Sequence, residues 1–140
     1  MKTEIERFNP CEDALEFRKK YKTFRGAWNN CPRGDWMLWI AKRVGIDIRT
    51  LTLAKGYCAK TVIHLMKYQR SKDAVKAAID FGRGKIDEGQ LRNASDAADA
   101  AYAAAYAAYS AAARIKNQKA TADICRKYLT KSVMEKIKSL

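Results

Sequence analysis

At 140 residues the chain has room for one domain. A domain of this length buries roughly two thirds of the surface that its unfolded form exposes, so a core can form without disulfide or metal staples. A hydrophobic share of 48% with two prolines excludes a disordered tail, and no run approaches the roughly 18 apolar residues of a membrane helix. Lys and Arg number 28 against 15 Asp and Glu, a net charge of +13 that attracts anions.

The charge is unevenly spread: residues 1–40 carry +2, 41–70 carry +6, 71–110 carry −1 and 111–140 carry +6. The start, Met1 to Phe8, is charged and lacks the apolar run of a secretory signal, so we expect a cytosolic protein. Residues 1–8 are read as a candidate disordered terminus of a single domain covering 1–140. Cys11, Cys31, Cys58 and Cys125 lie far apart with no CxxC pair, and in a reducing compartment they read as half-buried core residues and not as metal ligands.

Helical spacing runs throughout, and no segment alternates like a strand. Asn9-Pro10-Cys11-Glu12 reads as a helix start with Asn as cap, followed by a stripe of Ala14, Phe17, Tyr21 and Phe24. Thr23 is placed to cap a short helix through Trp28. Cys31-Pro32-Arg33-Gly34 is a turn into a third helix from Asp35 to about Val44, stopped by Gly45. Trp28, Trp36 and Trp39 fall close together and read as one corner of the core.

Asp47 caps a helix predicted to run to about Gln69, with Leu51, Ala54, Cys58, Val62 and Leu65 as its buried seam. Arg49, Lys60 and Lys67 fall on its other side as a candidate basic strip. Ser71 is expected to cap a helix through Phe81 that ends at Gly82 and Gly84. Asp87 and Gln90 form a capping pair, with Ile86 placed for a hydrophobic staple, ahead of a long Ala/Tyr helix that should bend or break near Asn117. A last helix carries Ile124, Cys125, Leu129, Val133 and Ile137. The expected architecture is an all-α, compact single-domain bundle of six or seven helices with the Ala-rich helix at its centre.

Catalytic signals are thin. His64 is a lone histidine on a buried-looking helix, Asp96 and Asp99 share a face but suit capping or salt bridging, and no phosphate loop, HExxH or nucleophile elbow occurs. The chain reads as a non-enzyme with no cofactor. Tyr102, Tyr106 and Tyr109 stand at i, i+4 and i+7, the spacing either of rings packed into the core or of a ledge on which bases stack. Arg33-Gly34-Asp35-Trp36 sits at a helix N-terminus, where backbone N–H groups favour an anion, although Asp35 is able to fill that place itself.

Three stretches together resemble a known family: Ala27-Trp28-Asn-Asn-Cys31-Pro32-Arg33-Gly34-Asp35-Trp36-Met-Leu-Trp39, Arg49-Thr-Leu51-Thr-Leu-Ala54-Lys-Gly-Tyr-Cys58-Ala59, and Asp96 to Tyr109 followed by Ala122-Asp-Ile-Cys125-Arg126. They look like the immunity-protein-five-like domain of Ala-rich helical proteins from bacteria and phages, over about residues 8 to 129. The resemblance implies a role in biological conflict, neutralising a toxin or a defence activity, and supplies no catalytic residues. The Lys-rich C-terminal helix departs from the family pattern.

The charge refines that expectation. A toxin nuclease presents a basic surface, and like charges across an interface cost several kcal/mol, so a +13 chain suits an anionic partner better. We therefore expect a binding protein that holds an anion through Arg33, Arg49, Lys60, Lys67 and Arg126, with Tyr102, Tyr106, Tyr109 and Trp36 as candidate stacking residues. Its sharpest form is a phage anti-defence sponge for a nucleotide signal. A general nucleic-acid-binding protein and an inhibitor of an acidic protein are the alternatives, and a homo-oligomer is compatible with each.

Overall fold

The computed structural model describes residues 3–140 apart from 88, 90–95, 97–98, 101, 104 and 108. Six α-helices lie wholly within them: α1 Glu12–Lys19, α2 Phe24–Asn30, α3 Gly34–Arg43, α4 Ile48–Lys60, α5 Gln69–Gly82 and α6 Ala111–Lys138. Two 3-10 turns, Glu6–Phe8 and Ile63–Leu65, precede α1 and α5, and no strand is present among the described residues. The chain is an all-α helical bundle.

Local chemistry sets several helix ends. Thr23 Oγ1 accepts from Gly26 N at 3.1 Å, and Asp47 Oδ2 accepts from Thr50 N at 3.3 Å, each satisfying a first-turn donor that the helix cannot. Gly45 and Gly84 follow α3 and α5 with φ of 84° and 78°, a left-handed conformation that an L side chain resists. Asn9 differs from expectation. It takes φ 53° as the stop of the first 3-10 turn, and Cys11 stands at the N-cap of α1 instead. From Thr3 onward the N-terminal segment lies on the domain, with Ile5 buried in the core.

Two other boundaries also depart from the sequence reading. Helix α4 ends at Lys60 and does not continue to Gln69, because Thr61 turns its hydroxyl back to Cys58 O at 2.6 Å and Asn117 Nδ2 donates to the same hydroxyl at 2.8 Å. His64 is consequently exposed on a 3-10 turn, and α5 starts at Gln69, ahead of Ser71. The expected break near Asn117 falls earlier, at Tyr109–Ser110. Ser110 Oγ accepts from Ala113 N at 3.3 Å and starts α6, which runs unbroken past a buried Asn117. The described residues of the Ala/Tyr stretch from Asp96 to Ala107, including Asp99, Tyr102 and Tyr106, are helical; most of its alanines and the proposed cap Gln90 lie outside the described residues.

The main core joins α2, α3, α4 and α6 through Trp28, Met37, Ile40, Leu51, Cys58, Cys125 and Leu129. A second cluster of Ala59, Val62, Met66, Val75 and Ala105 fills the space between α4, α5 and the Ala/Tyr stretch. Cys31, Cys58 and Cys125 are buried in this interior, whereas Cys11 is exposed. A hydrogen bond to Cys58, together with burial, pushes the Cys125 thiol far up, and burial raises Cys31. Native protein at neutral pH should therefore take one equivalent of iodoacetamide, at Cys11, and urea-unfolded protein four. Intact mass spectrometry reads the count, and more than one adduct on the native chain would contradict this packing.

Candidate functional site

The five cationic residues singled out in the sequence are distributed over the start of α3, α4, the segment before α5 and α6. Arg126, on α6, donates through Nη1 to Trp28 O at 3.2 Å and Cys31 O at 2.8 Å, and through Nη2 to Asp123 at 2.7 Å. It closes the C-terminal end of α2. Arg49, on α4, donates to Phe81 O at 2.8 Å and lies 4.3 Å over the Phe81 ring, which fastens the end of α5. Lys60 and Lys67 are exposed, but the early end of α4 leaves only Lys60 on that helix. No continuous Arg49–Lys60–Lys67 strip results.

A division of labour separates several of the described arginines from the lysines of α6. Arg18 is bonded to Glu4 at 2.6 Å, Arg33 to Asp35 at 2.6 Å, Arg83 to the Tyr57 hydroxyl and Arg114 to Ala107 O at 3.0 Å. The guanidinium fork, with five donors, suits carbonyl and carboxylate acceptors. These arginines, with Arg49 and Arg126, act as fasteners, whereas Arg7, Arg25, Arg43 and Arg70 are exposed. Lysines supply the outer charge. Lys116, Lys119, Lys127, Lys131 and Lys138 are exposed on the side of α6 opposite its buried Asn117, Cys125, Leu129 and Val133. None of the five reaches a carboxylate among the described residues, and the acidic Asp123 on that side is held by Arg126. At 1.5 Å per residue the row from Lys116 to Lys138 extends about 33 Å.

The tyrosine stripe faces inward. Tyr102 OH donates to Asn117 Oδ1 at 2.8 Å, Gln118 Nε2 donates to Tyr106 OH at 2.8 Å, and the Tyr102 and Tyr106 rings stack with centroids 5.5 Å apart. Tyr102 and Tyr109 pack on the second core cluster, and burial drives the Tyr102 phenol well above its ordinary range. With Asn117 bonded on to Thr61, these contacts make a polar seam between the Ala/Tyr stretch, α4 and α6.

Trp36 and Arg33 do come together. The Arg33 guanidinium sits 4.6 Å over the Trp36 ring while Nε and Nη2 hold Asp35 in a two-point pair, and the carboxylate keeps the guanidinium firmly charged. They stand at an aromatic hollow of about 430 Å³ bounded by Ile5, Phe17, Trp28, Trp36 and Trp39. Sequence reasoning placed the tryptophans in a core corner. It missed the hollow because that depends on where Ile5 and α1 come to rest.

Glu4 ties the N-terminal segment across this side of the domain through Arg18. Burial opposes ionisation of Glu4, but the hydrogen bonds and charge of Arg18 outweigh it and hold the carboxyl below its ordinary 4.5. A carboxyl lowered in the folded state favours folding above its unfolded value, and that support is lost as pH falls through the lower folded value. Protection of the Ile5–Phe8 amides against exchange, relative to the free-peptide rate at each pH, should therefore fall below pH 4.5 in the native chain, and Glu4→Gln should remove that change in protection.

Among the described residues no helix is long and apolar enough to cross a membrane, and no cluster of three His, Cys, Asp or Glu is placed to hold a metal ion. No family model, no curated protein and no solved structure matches the chain.

Proposed function

We propose that the protein is a non-catalytic binding protein that captures an acidic macromolecule on the lysine side of α6, in keeping with the neutralising role that its likeness to the immunity-like family suggests. The observation that carries this reading is the row Lys116, Lys119, Lys127, Lys131 and Lys138, exposed and without a carboxylate partner among the described residues. Ammonium groups on flexible stems serve as point charges for phosphates, and they need no fixed fork geometry. Tyr102, Tyr106 and Tyr109 turn away from this side, and Ile115 is the one exposed large apolar residue of α6. A protein–protein interface usually centres on buried aromatic or arginine anchors. A linear polyanion of the nucleic-acid type fits better, because its charges repeat along a line and its backbone is bound without reading bases.

The test is binding of a labelled 30-base-pair duplex, followed by fluorescence anisotropy, to the native chain and to K116A/K119A/K127A/K131A. These positions are exposed, so the variant should keep its fold. Removing four phosphate contacts should lower the slope of log affinity against log salt by about 3.6, at roughly 0.9 per contact. Equal affinity in the two proteins would sink the reading. Binding to a polyglutamate chain but not to DNA would transfer it to an acidic protein partner.

A nucleotide signal is a second reading, supported by the Arg33–Trp36 pair at the hollow. A base and a ribose bring several hydrogen-bonding groups, whereas the hollow is walled mainly by hydrocarbon and indole. The phage anti-defence role depends on that second ligand class.

A further inference from the structure

The hollow beside Arg33 has a recognisable chemistry that the lysine side of α6 does not share. Its walls come from Ile5, Phe17, Trp28, Trp36, Met37 and Ile40, and its volume of about 430 Å³ falls in the range of pockets that enclose small organic molecules. Several polar groups near it are committed. Trp28 Nε1 donates to Thr130 Oγ1 at 2.8 Å, Arg18 is held by Glu4 and Tyr21 O, and Cys31 Sγ points to Arg33 O at 3.5 Å.

Arg33 is committed on one edge only. Asp35 takes its Nε and Nη2 edge at 2.9 and 2.6 Å, and Nη1 has no acceptor among the described residues. The ring of Trp36 beneath the guanidinium and the carboxylate beside it fix the orientation of that free edge. A fixed guanidinium edge at the mouth of an apolar cavity selects a molecule with one acidic head and a body that makes few hydrogen bonds.

We propose that this hollow binds a small carboxylic acid with an apolar, preferably aromatic, body. The carboxylate meets Arg33 Nη1 at the mouth, and the body lies among Phe17, Trp36 and Trp39, where offset ring contacts add to burial. The lysine side of α6 takes no part, so this site stands or falls separately from the proposed macromolecular partner.

Trp36 and Trp39 report occupancy directly through their fluorescence. Titration of the full chain with indole-3-acetate should give saturable quenching, and uncharged indole should bind about tenfold more weakly for want of one charge-assisted pair. Arg33→Gln should weaken indole-3-acetate by about the same factor and leave indole unchanged. Ala14→Phe, which fills the hollow from α1, should abolish both. K116A/K119A/K127A/K131A should bind indole-3-acetate like the native chain. Absence of saturable quenching up to millimolar indole-3-acetate overturns the proposal. So does unchanged affinity in Arg33→Gln, or adenosine monophosphate binding more tightly than indole-3-acetate, which would return the hollow to the nucleotide reading.

Discussion

Gly34→Ala should destabilise the domain by about 3 kcal/mol, the upper end of what overpacking a core contact costs. Gly34 opens α3 at its crossing with α6, and a Cβ there would lie 2.6 Å from Thr121 Cβ and 2.7 Å from the Thr121 carbonyl carbon. Real Cβ atoms do not approach so closely, and the backbone of a long helix cannot yield locally. The whole of α3 must withdraw, loosening the contact of Cys125 Sγ with Gly34 O at 3.7 Å and the packing of Met37 and Ile40. Gly26→Ala is the internal comparison. It also lies in a helix, but its nearest neighbours stand at 3.4 Å or more, so the better helix propensity of alanine should leave it neutral or more stable by up to about 1 kcal/mol. Urea unfolding followed by tryptophan fluorescence compares them. A Gly34→Ala protein as stable as the native chain would mean that α3 and α6 do not meet as described.

Arg126→Ala should cost about 3 kcal/mol and leave polyanion affinity nearly unchanged in the folded protein. The substitution strips the carbonyls of Trp28 and Cys31 of their charged donor; Trp28 O keeps the Cys31 N–H at 3.3 Å, whereas Cys31 O loses its donor, and an unsatisfied buried acceptor costs roughly 1–3 kcal/mol. Asp123 loses less, because its side chain is 76% exposed and water replaces the pair. Arg126→Lys should recover only part of the loss, since a single ammonium cannot span both carbonyls and the carboxylate with the geometry of the fork. Stability and binding therefore separate at this position. A variant that keeps native stability and loses most of its affinity would make Arg126 a contact residue and would overturn the fastening role.

Features governed by nearby residues were legible in the sequence. Thr23, Asp47, Gly45 and Gly84 act within one turn, and each does what its chemistry implies. The end of α4 was not legible, because Val62 and Leu65 extend the helical spacing past Lys60 while the groups that stop the helix include an amide 56 residues away in Thr61–Asn117. Arginine roles were hidden for the same reason. Arg126 finds Cys31 O across 95 residues and Arg49 finds Phe81 O across 32, and neither acceptor leaves a trace in local sequence. The lysine row of α6 was not singled out in the sequence, although the buried Cys125, Leu129 and Val133 fix which side of that helix faces out.

The salt dependence of duplex-DNA binding by the native chain tests most directly the division between fastening arginines and binding lysines. Five lysines on α6 that each displace one counterion predict a log–log slope of about −4.5. A slope near zero, or affinity that survives from low salt to high without change, would contradict the account.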